Sequence, residues 1–239
     1  MRRKAFTGKD YCGVLKSTRN YYHDYSAEYV KFYENWAKRE GQFSGSEYIE
    51  GYEIVAKVLT CTAKPGESVI DIGCGVGKWS TLLAQAGAKV TSADYLSTML
   101  KQFAQTYKQH QSRPRISLVM SDGFYLPFRS EVFDAATLNW VFSHIPAPRS
   151  EQFLNEVGRV VGEGGWLFIS DSYWRSQEGG KEQIHIRELE GREYEVYKYY
   201  YGPSELEALL ERTFGDVQLM QLLHYELVCI AKKCVKVRT

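Results

Sequence analysis

The stretch Val69-Ile70-Asp71-Ile72-Gly73-Cys74-Gly75-Val76-Gly77 constrains this chain more than any other. A β-branched run that breaks into alternating glycines predicts a buried strand feeding a tight turn. Glycine takes positive φ freely and lets backbone approach a ligand closely. The surrounding pattern repeats the unit. Trp79 to Ala86 reads as a helix stopped by Gly87, a good residue just past a helix end. Lys89 to Ala93 is a second strand, Ser97 to His110 a helix, Ile116 to Met120 a third strand and Ala135 to Asn139 a fourth. Arg149 to Val161 is again helical, and Trp166 to Ser170 a fifth strand. Such alternation predicts an α/β fold around a mostly parallel sheet, with its ligand crevice outside the carboxyl ends of the strands.

Glycines so spaced suit a dinucleotide, a nucleoside triphosphate or a nucleoside sulfonium, and the neighbouring residues discriminate. A phosphate loop of the G-x-x-x-x-G-K-[ST] type needs glycine at position 72 and Ser or Thr at 79, where this chain has Ile72 and Trp79. A dinucleotide fingerprint wants a small residue at position 78, which is Lys78. Asp71, two residues before the first glycine, would repel a diphosphate and attract an ammonium or sulfonium. Asp94 ends the second strand, where a carboxylate accepts hydrogen bonds from ribose hydroxyls, and Asp122-Gly123 ends the third, within reach of an adenine amino group.

Charge and cysteine usage narrow the partners. Lys plus Arg number 30 against 29 Asp plus Glu, so a net +1 gives no whole-chain field for nucleic acid or an anionic membrane. Cys12, Cys61, Cys74, Cys229 and Cys234 contain no C-x-x-C pair, so neither a disulfide framework nor a metal site is expected. Met1-Arg2-Arg3-Lys4 leads into polar residues without an apolar run, and no stretch reaches the length of a bilayer span. The expectation is a cytoplasmic protein with no membrane contact, and a length of 239 residues with 44% hydrophobic content suits one main domain.

Taken in order, the blocks Val69 to Gly77, Ala93-Asp94, Ser121-Asp122 and Phe133-Asp134-Ala135-Ala136 resemble the class I S-adenosylmethionine-dependent methyltransferases, over about Glu47 to Lys233. The resemblance implies a Rossmann-like sheet of seven strands, the last antiparallel, with helices on both faces and S-adenosylmethionine at the carboxyl ends of strands one to four. It makes Asp71, Gly73 and Gly75 contacts of the methionine portion, with Cys74 and Gly77 in the same loop. Asp94 becomes the ribose ligand, Asp122 and Gly123 the adenine contacts, Tyr95 and Met99 adenosine packing, and Asn139 a wall near the sulfonium.

Methyl transfer from sulfonium needs alignment and exclusion of water more than a dedicated nucleophile. A base helps when the acceptor is a hydroxyl, phenol or protonated amine. His144, five residues beyond Asn139, is the best placed histidine, and Asp171 at the fifth strand's exit either orients a cationic acceptor or tunes His144. Tyr25, Trp36, Trp140 and Tyr173 are candidate acceptor walls, and His185 and Arg187 candidate contacts of an anionic acceptor. Residues 1–46 read as a helical segment whose aromatic face, Tyr21 to Trp36, either packs on the sheet or lids a pocket. In the domain that follows, 47–239, residues 171–202 read as an insertion that shapes the substrate site or merely crosses the surface. The last stretch, Val217 to Leu223 and Tyr225 to Ala231, reads as a hairpin with a frayed tail from Lys232.

Asn139-Trp140-Val141-Phe142 lacks the Asn/Asp-Pro-Pro-Tyr/Phe pattern of exocyclic-amine and amide methylation, and no Pro-Cys nucleophile points to pyrimidine chemistry. Nucleic acid is therefore not the leading substrate. The leading reading is methylation of a small molecule at oxygen or nitrogen. The alternatives are a protein N-terminal amine methyltransferase, which the Trp140-Val141 pair and His144 resemble although Ser172 replaces the expected Asn, and a cofactor-binding module without turnover. A homo-oligomer is left open.

Overall fold

In chain order the elements are β1 (Arg2–Ala5), α1 (Tyr11–Asp24), α2 (Ser26–Lys38), α3 (Glu47–Thr62), β2 (Ser68–Ile72), α4 (Lys78–Gln85), β3 (Lys89–Asp94), α5 (Ser97–Lys108) and β4 (Ile116–Met120). There follow β5 (Phe133–Asn139), α6 (Ser150–Val160), β6 (Val161–Ser172), β7 (Glu182–Leu189), β8 (Arg192–Tyr199), α7 (Pro203–Thr213), β9 (Gly215–Leu222) and β10 (Glu226–Lys233). Two 3₁₀ turns, Phe142–His144 and Ala147–Arg149, join β5 to α6. The computed structural model describes residues 2–6, 8, 10–38, 47–108, 116–175, 179–223 and 226–235, excepting the side chains of 36–38, 47–49 and 107–108.

Seven strands form one sheet in the order β4-β3-β2-β5-β6-β10-β9. β2 to β6 run parallel, while β10 is antiparallel to both its neighbours. The central strands are apolar on both faces, as a parallel sheet covered by helices requires. Ile70, Ile72, Leu138 and Ile169 join Leu154 and Val157 of α6 and Leu206 and Leu210 of α7 in one core. The alternate residues Val69, Ala135 and Phe168 pack against Val55 and Leu59 of α3 and Leu83 of α4 on the other face. The expected α/β architecture with one antiparallel strand is therefore present.

The two segments outside the repeating pattern turn out to be one substructure. Residues 182–199 form a hairpin whose two-residue turn, Glu190-Gly191, has φ of +50° and +77°, the sign a type I′ turn requires. β1 adds to its far side, pairing Arg3 with His185 and Ala5 with Gln183. α1 then runs along the free edge of β8: Ser17 Oγ accepts from the Glu195 N–H and Thr18 Oγ from the Tyr197 N–H, each at 2.8 Å. Side-chain hydroxyls thus occupy an edge that would otherwise invite another strand.

Three expectations change. The aromatic stretch from Tyr21 is two helices rather than one, broken at Tyr25, which caps α1. Within the stretch 171–202, residues 182–199 form the β7-β8 hairpin, a sheet element the sequence pattern does not announce. Lys232 and Lys233 belong to β10, where the Lys233 ammonium donates to the Gly158 and Val161 carbonyls, instead of starting a frayed tail. Tyr225, His110 and Lys236 lie outside the described residues. No helix among the described residues is long and apolar enough to cross a membrane.

Candidate active site

A cavity of about 300 Å³ opens at the carboxyl ends of β2, β3 and β5, roofed by α1 and α2. Its floor is the glycine loop. The Gly73 and Cys74 N–H groups both donate to the Ala93 carbonyl, at 2.8 and 3.1 Å, which ties the loop to the end of β3. A side chain at Gly73 would place Cβ 2.4 Å from Val141, and one at Gly77, at φ +83°, would enter the Phe103 ring at 2.2 Å. Glycine at these two positions is thus demanded by close approach as well as by the turn.

Asp94 stands beside the loop. Its carboxylate accepts the Gly75 and Leu96 N–H groups, both at 2.8 Å, so it is oriented before any ligand arrives. Burial pushes its carboxyl up to about 6, against the pull of those amides. Tyr95, Leu96, Met99 and Asp122 continue this wall, and Asp122 is held by accepting the Phe124 N–H at 2.9 Å. Two aromatic rings along the wall carry guanidinium groups: Arg19 lies 3.9 Å over Tyr95, and Arg149 lies 3.8 Å over Phe124.

The other end of the cavity is aromatic. Trp140 clusters with Tyr52 and Trp79, its ring centroid 4.6 and 5.1 Å from theirs, which lie 6.0 Å from each other. Its φ of +55° is a strained backbone for so bulky a residue, held by its N–H on the Ser170 carbonyl at 2.7 Å. Strain at a strand exit facing a cavity marks the place where geometry is fixed at an energetic cost. Tyr29 and Tyr33 close this end from α2.

His144 faces the cavity between the two ends. Its Nδ1 lies 2.9 Å from the Tyr197 carbonyl and its Nε2 2.9 Å from the Tyr22 hydroxyl. A carbonyl only accepts, so Nδ1 carries the ring proton, and Nε2 accepts from Tyr22. Burial, followed by the charge of Lys198, holds the imidazole well below its ordinary range, so it is neutral near pH 7. Burial likewise keeps the Tyr22 phenol protonated.

The expected site residues divide accordingly. Gly73, Cys74, Gly75, Asp94, Tyr95, Met99, Asp122, Asn139, Trp140 and His144 meet in the cavity. Asp71 does not line it. It is buried behind the loop, accepting from the Ser80 hydroxyl at 2.5 Å and Thr137 at 2.9 Å, and so joins α4 to β5. Gly77 is the N-cap of α4, and Gly123 packs under Phe153. Asp171 is also displaced from the cavity. It accepts the Ser143 N–H at 2.8 Å and so positions the turn that carries His144, while Lys198 donates to the Ser143 hydroxyl. Tyr173 lines a separate small cleft, and Tyr25 stacks on Tyr21 at 5.2 Å. The side chain of Trp36 lies outside the described residues, and His185 bonds Tyr200 away from the cavity.

Sequence reasoning has Tyr22, Tyr29 and Tyr33 only as members of an aromatic face that packs on the sheet or lids a pocket, and it misses Arg19 and Phe124. On α1, Leu15, Thr18, Arg19 and Tyr22 form an i, i+3, i+4, i+7 stripe that a helix starting at Tyr11 would have shown.

Known proteins bear on this geometry. Residues 70–169 match a family model described as a methyltransferase domain. A demethylmenaquinone methyltransferase of Desulfitobacterium hafniense is 32% identical over 128 residues, 52% of this chain and 50% of that protein. The methyltransferase GfsG of Streptomyces halstedii is 33% identical over 108 residues, 44% of this chain and 38% of that protein. The chain therefore spans about half the length, or less, of these curated relatives. The solved DhpI-SAM-HEP complex shares the fold at a TM-score of 0.74 and 19% identity, covering 94% of this chain and 100% of that one.

Proposed function

We propose that the chain, whose residues 70–169 match a methyltransferase domain, is a class I S-adenosylmethionine-dependent methyltransferase that methylates a small molecule at oxygen or nitrogen. One observation carries the reading. A single cavity has ribose- and adenine-type acceptors, Asp94 and Asp122, on one wall and a tyrosine–histidine pair beyond them.

The residues present fit the cofactor. An oriented carboxylate at Asp94 suits two ribose hydroxyls, and the glycine loop leaves room that a Cβ would fill. When bound, S-adenosylmethionine supplies a methyl group already activated by positive sulfur. What remains for the chain is to hold, align, exclude water and remove a proton. α1 and α2 lie over the cavity and restrict the access of water to it.

The Tyr22–His144 pair handles the proton. An acceptor hydroxyl or amine at the pair gives its proton to Tyr22 Oη as the Tyr22 proton passes to His144 Nε2. The resulting imidazolium keeps its Nδ1–H on the Tyr197 carbonyl. Asp171 and Lys198 are positioning residues, acting through the 142–144 turn. The small-molecule reading is supported by the modest size of the cavity, about 300 Å³, and by relatives named for demethylmenaquinone.

Calorimetric titration of cofactor-stripped protein with S-adenosylmethionine, S-adenosylhomocysteine and NAD tests the premise. The expected result is binding of both sulfur nucleosides and not of NAD. Binding of NAD alone returns the site to hydride chemistry.

A further inference from the structure

Beside the active-site cavity lies a second one, of about 590 Å³, between the first turns of α1 and the 146–149 segment. The two share Leu15, Arg19, Pro146 and Arg149, so the outer cavity is a vestibule to the inner one. Its lining carries three cations, Lys16, Arg19 and Arg149, and no acidic residue. Among the described residues none of the three is ion-paired with a carboxylate. A concave wall of one charge sign concentrates ligands of the other.

The two arginines are also oriented. Each guanidinium carbon lies over a ring, Tyr95 or Phe124, which restrains the group and leaves N–H groups at its rim to meet an oxyanion. Arg149 spends only Nε and Nη2, on Gln152 at 3.3 and 3.2 Å. Holding the fork in place before binding lowers the entropy lost when an oxyanion arrives.

Two walls run from the vestibule to the reacting end. On α1, Leu15 and Arg19 at the mouth lead to Tyr22, and opposite them Arg149 and Pro146 lead to His144. Arg19 and Tyr22 are roughly 4.5 Å apart along the helix axis, a separation a single aromatic ring spans. S-adenosylmethionine carries a net positive charge, so the cations are not matched to it, and the glycine loop lines only the inner cavity.

We propose that the vestibule anchors the acceptor, and that the acceptor is a small planar acid whose carboxylate or phosphonate-type oxyanion is held by Arg19 and Arg149 while its hydroxyl or nitrogen meets Tyr22 and His144. This rests on the methyltransferase reading above.

The test uses the whole chain saturated with S-adenosylhomocysteine and titrated calorimetrically with 4-hydroxybenzoate, 4-hydroxyphenylphosphonate and the neutral 4-hydroxybenzamide. At least one anion should bind about tenfold tighter than the amide, and its advantage should shrink as salt is raised. The better of the two anions identifies the oxyanion. Arg149→Gln and Arg19→Gln should each remove most of that advantage, about five- to tenfold, and Arg149→Lys should restore part of it. Thermal melting checks that each variant is folded. Equal binding of amide and acids overturns the proposal, as does binding of none of them by the nucleoside-loaded protein. It is likewise overturned if the arginine substitutions weaken S-adenosylhomocysteine as much as the acid. If S-adenosylhomocysteine itself does not bind, the cofactor reading underneath falls instead.

Discussion

The two halves of the cavity are built by opposite strategies. The half proposed for the nucleoside uses polar groups at strand ends, each oriented by backbone of its own or the neighbouring strand's turn: Asp94 by Leu96 and by Gly75, 19 positions away, and Asp122 by Phe124. The acceptor half uses side chains brought from distant parts of the chain, with Tyr22 meeting His144 across 122 positions and His144 meeting Tyr197 across 53. The first half is a property of a strand and its turn. The second exists only after the cap has docked, so its geometry depends on α1 sitting correctly on β8.

If the halves are separable, damage to one should leave the other intact. Tyr22→Phe removes the hydroxyl on His144 Nε2 and should lower kcat by about 10²- to 10³-fold while leaving affinity for S-adenosylhomocysteine within about threefold. His144→Ala should do the same. Loss of nucleoside affinity in either variant would show that the cap belongs to the cofactor site and would dissolve the comparison. Asp94→Asn acts on the other half. It removes the charge but keeps one oxygen for the local amides, and should weaken S-adenosylhomocysteine by about 30- to 100-fold in calorimetry.

Proton binding sharpens the same contrast. Because burial raises Asp94 to about 6, its carboxylate is charged above that pH and protonated below it. On the proposed reading the ionised form would accept both ribose hydroxyls, so nucleoside affinity should be constant above pH 7 and fall about tenfold per unit well below 6. Asp94→Asn should abolish the slope. His144 is held neutral by burial and Lys198, so it should add no second step near its ordinary range.

How much of this was legible follows from the same division. The glycine loop, Asp94 and Asp122 were readable because the strand, turn and terminal acid lie within one local pattern. Asp71 was misplaced because its position in the motif says nothing of which way its carboxylate turns. Only the hydroxyls of Ser80 and Thr137, with Ser92 behind Ser80, show that it faces inward. The hairpin of β7 and β8 was hidden because its polar alternation, with Gln183, His185 and Lys198 all buried, does not look like a strand with one wet face. Those residues are inside because β1, α1 and the 142–144 turn cover them. Tyr25 was chosen over Tyr22 because one continuous helix was assumed, and the break at Tyr25 resets the face.

The smallest effect is expected where the cap is fastened. Thr18 Oγ accepts the Tyr197 N–H at 2.8 Å and is itself buried. Thr18→Val keeps the shape but leaves that donor without its partner on a docked edge, a cost of about 1–2 kcal/mol. For a chain of this size that is a fall in melting temperature of about 2–8 °C. The Tyr197 carbonyl on the same residue orients His144, so a loosened β8 should also lower kcat a few-fold with nucleoside affinity unchanged. A variant that melts earlier but keeps full turnover would show that His144 holds its place without β8, and that the cap is a cover only. A parallel loss of both would tie the acceptor half's chemistry to the docking of the cap, through one carbonyl two bonds from the amide that Thr18 holds.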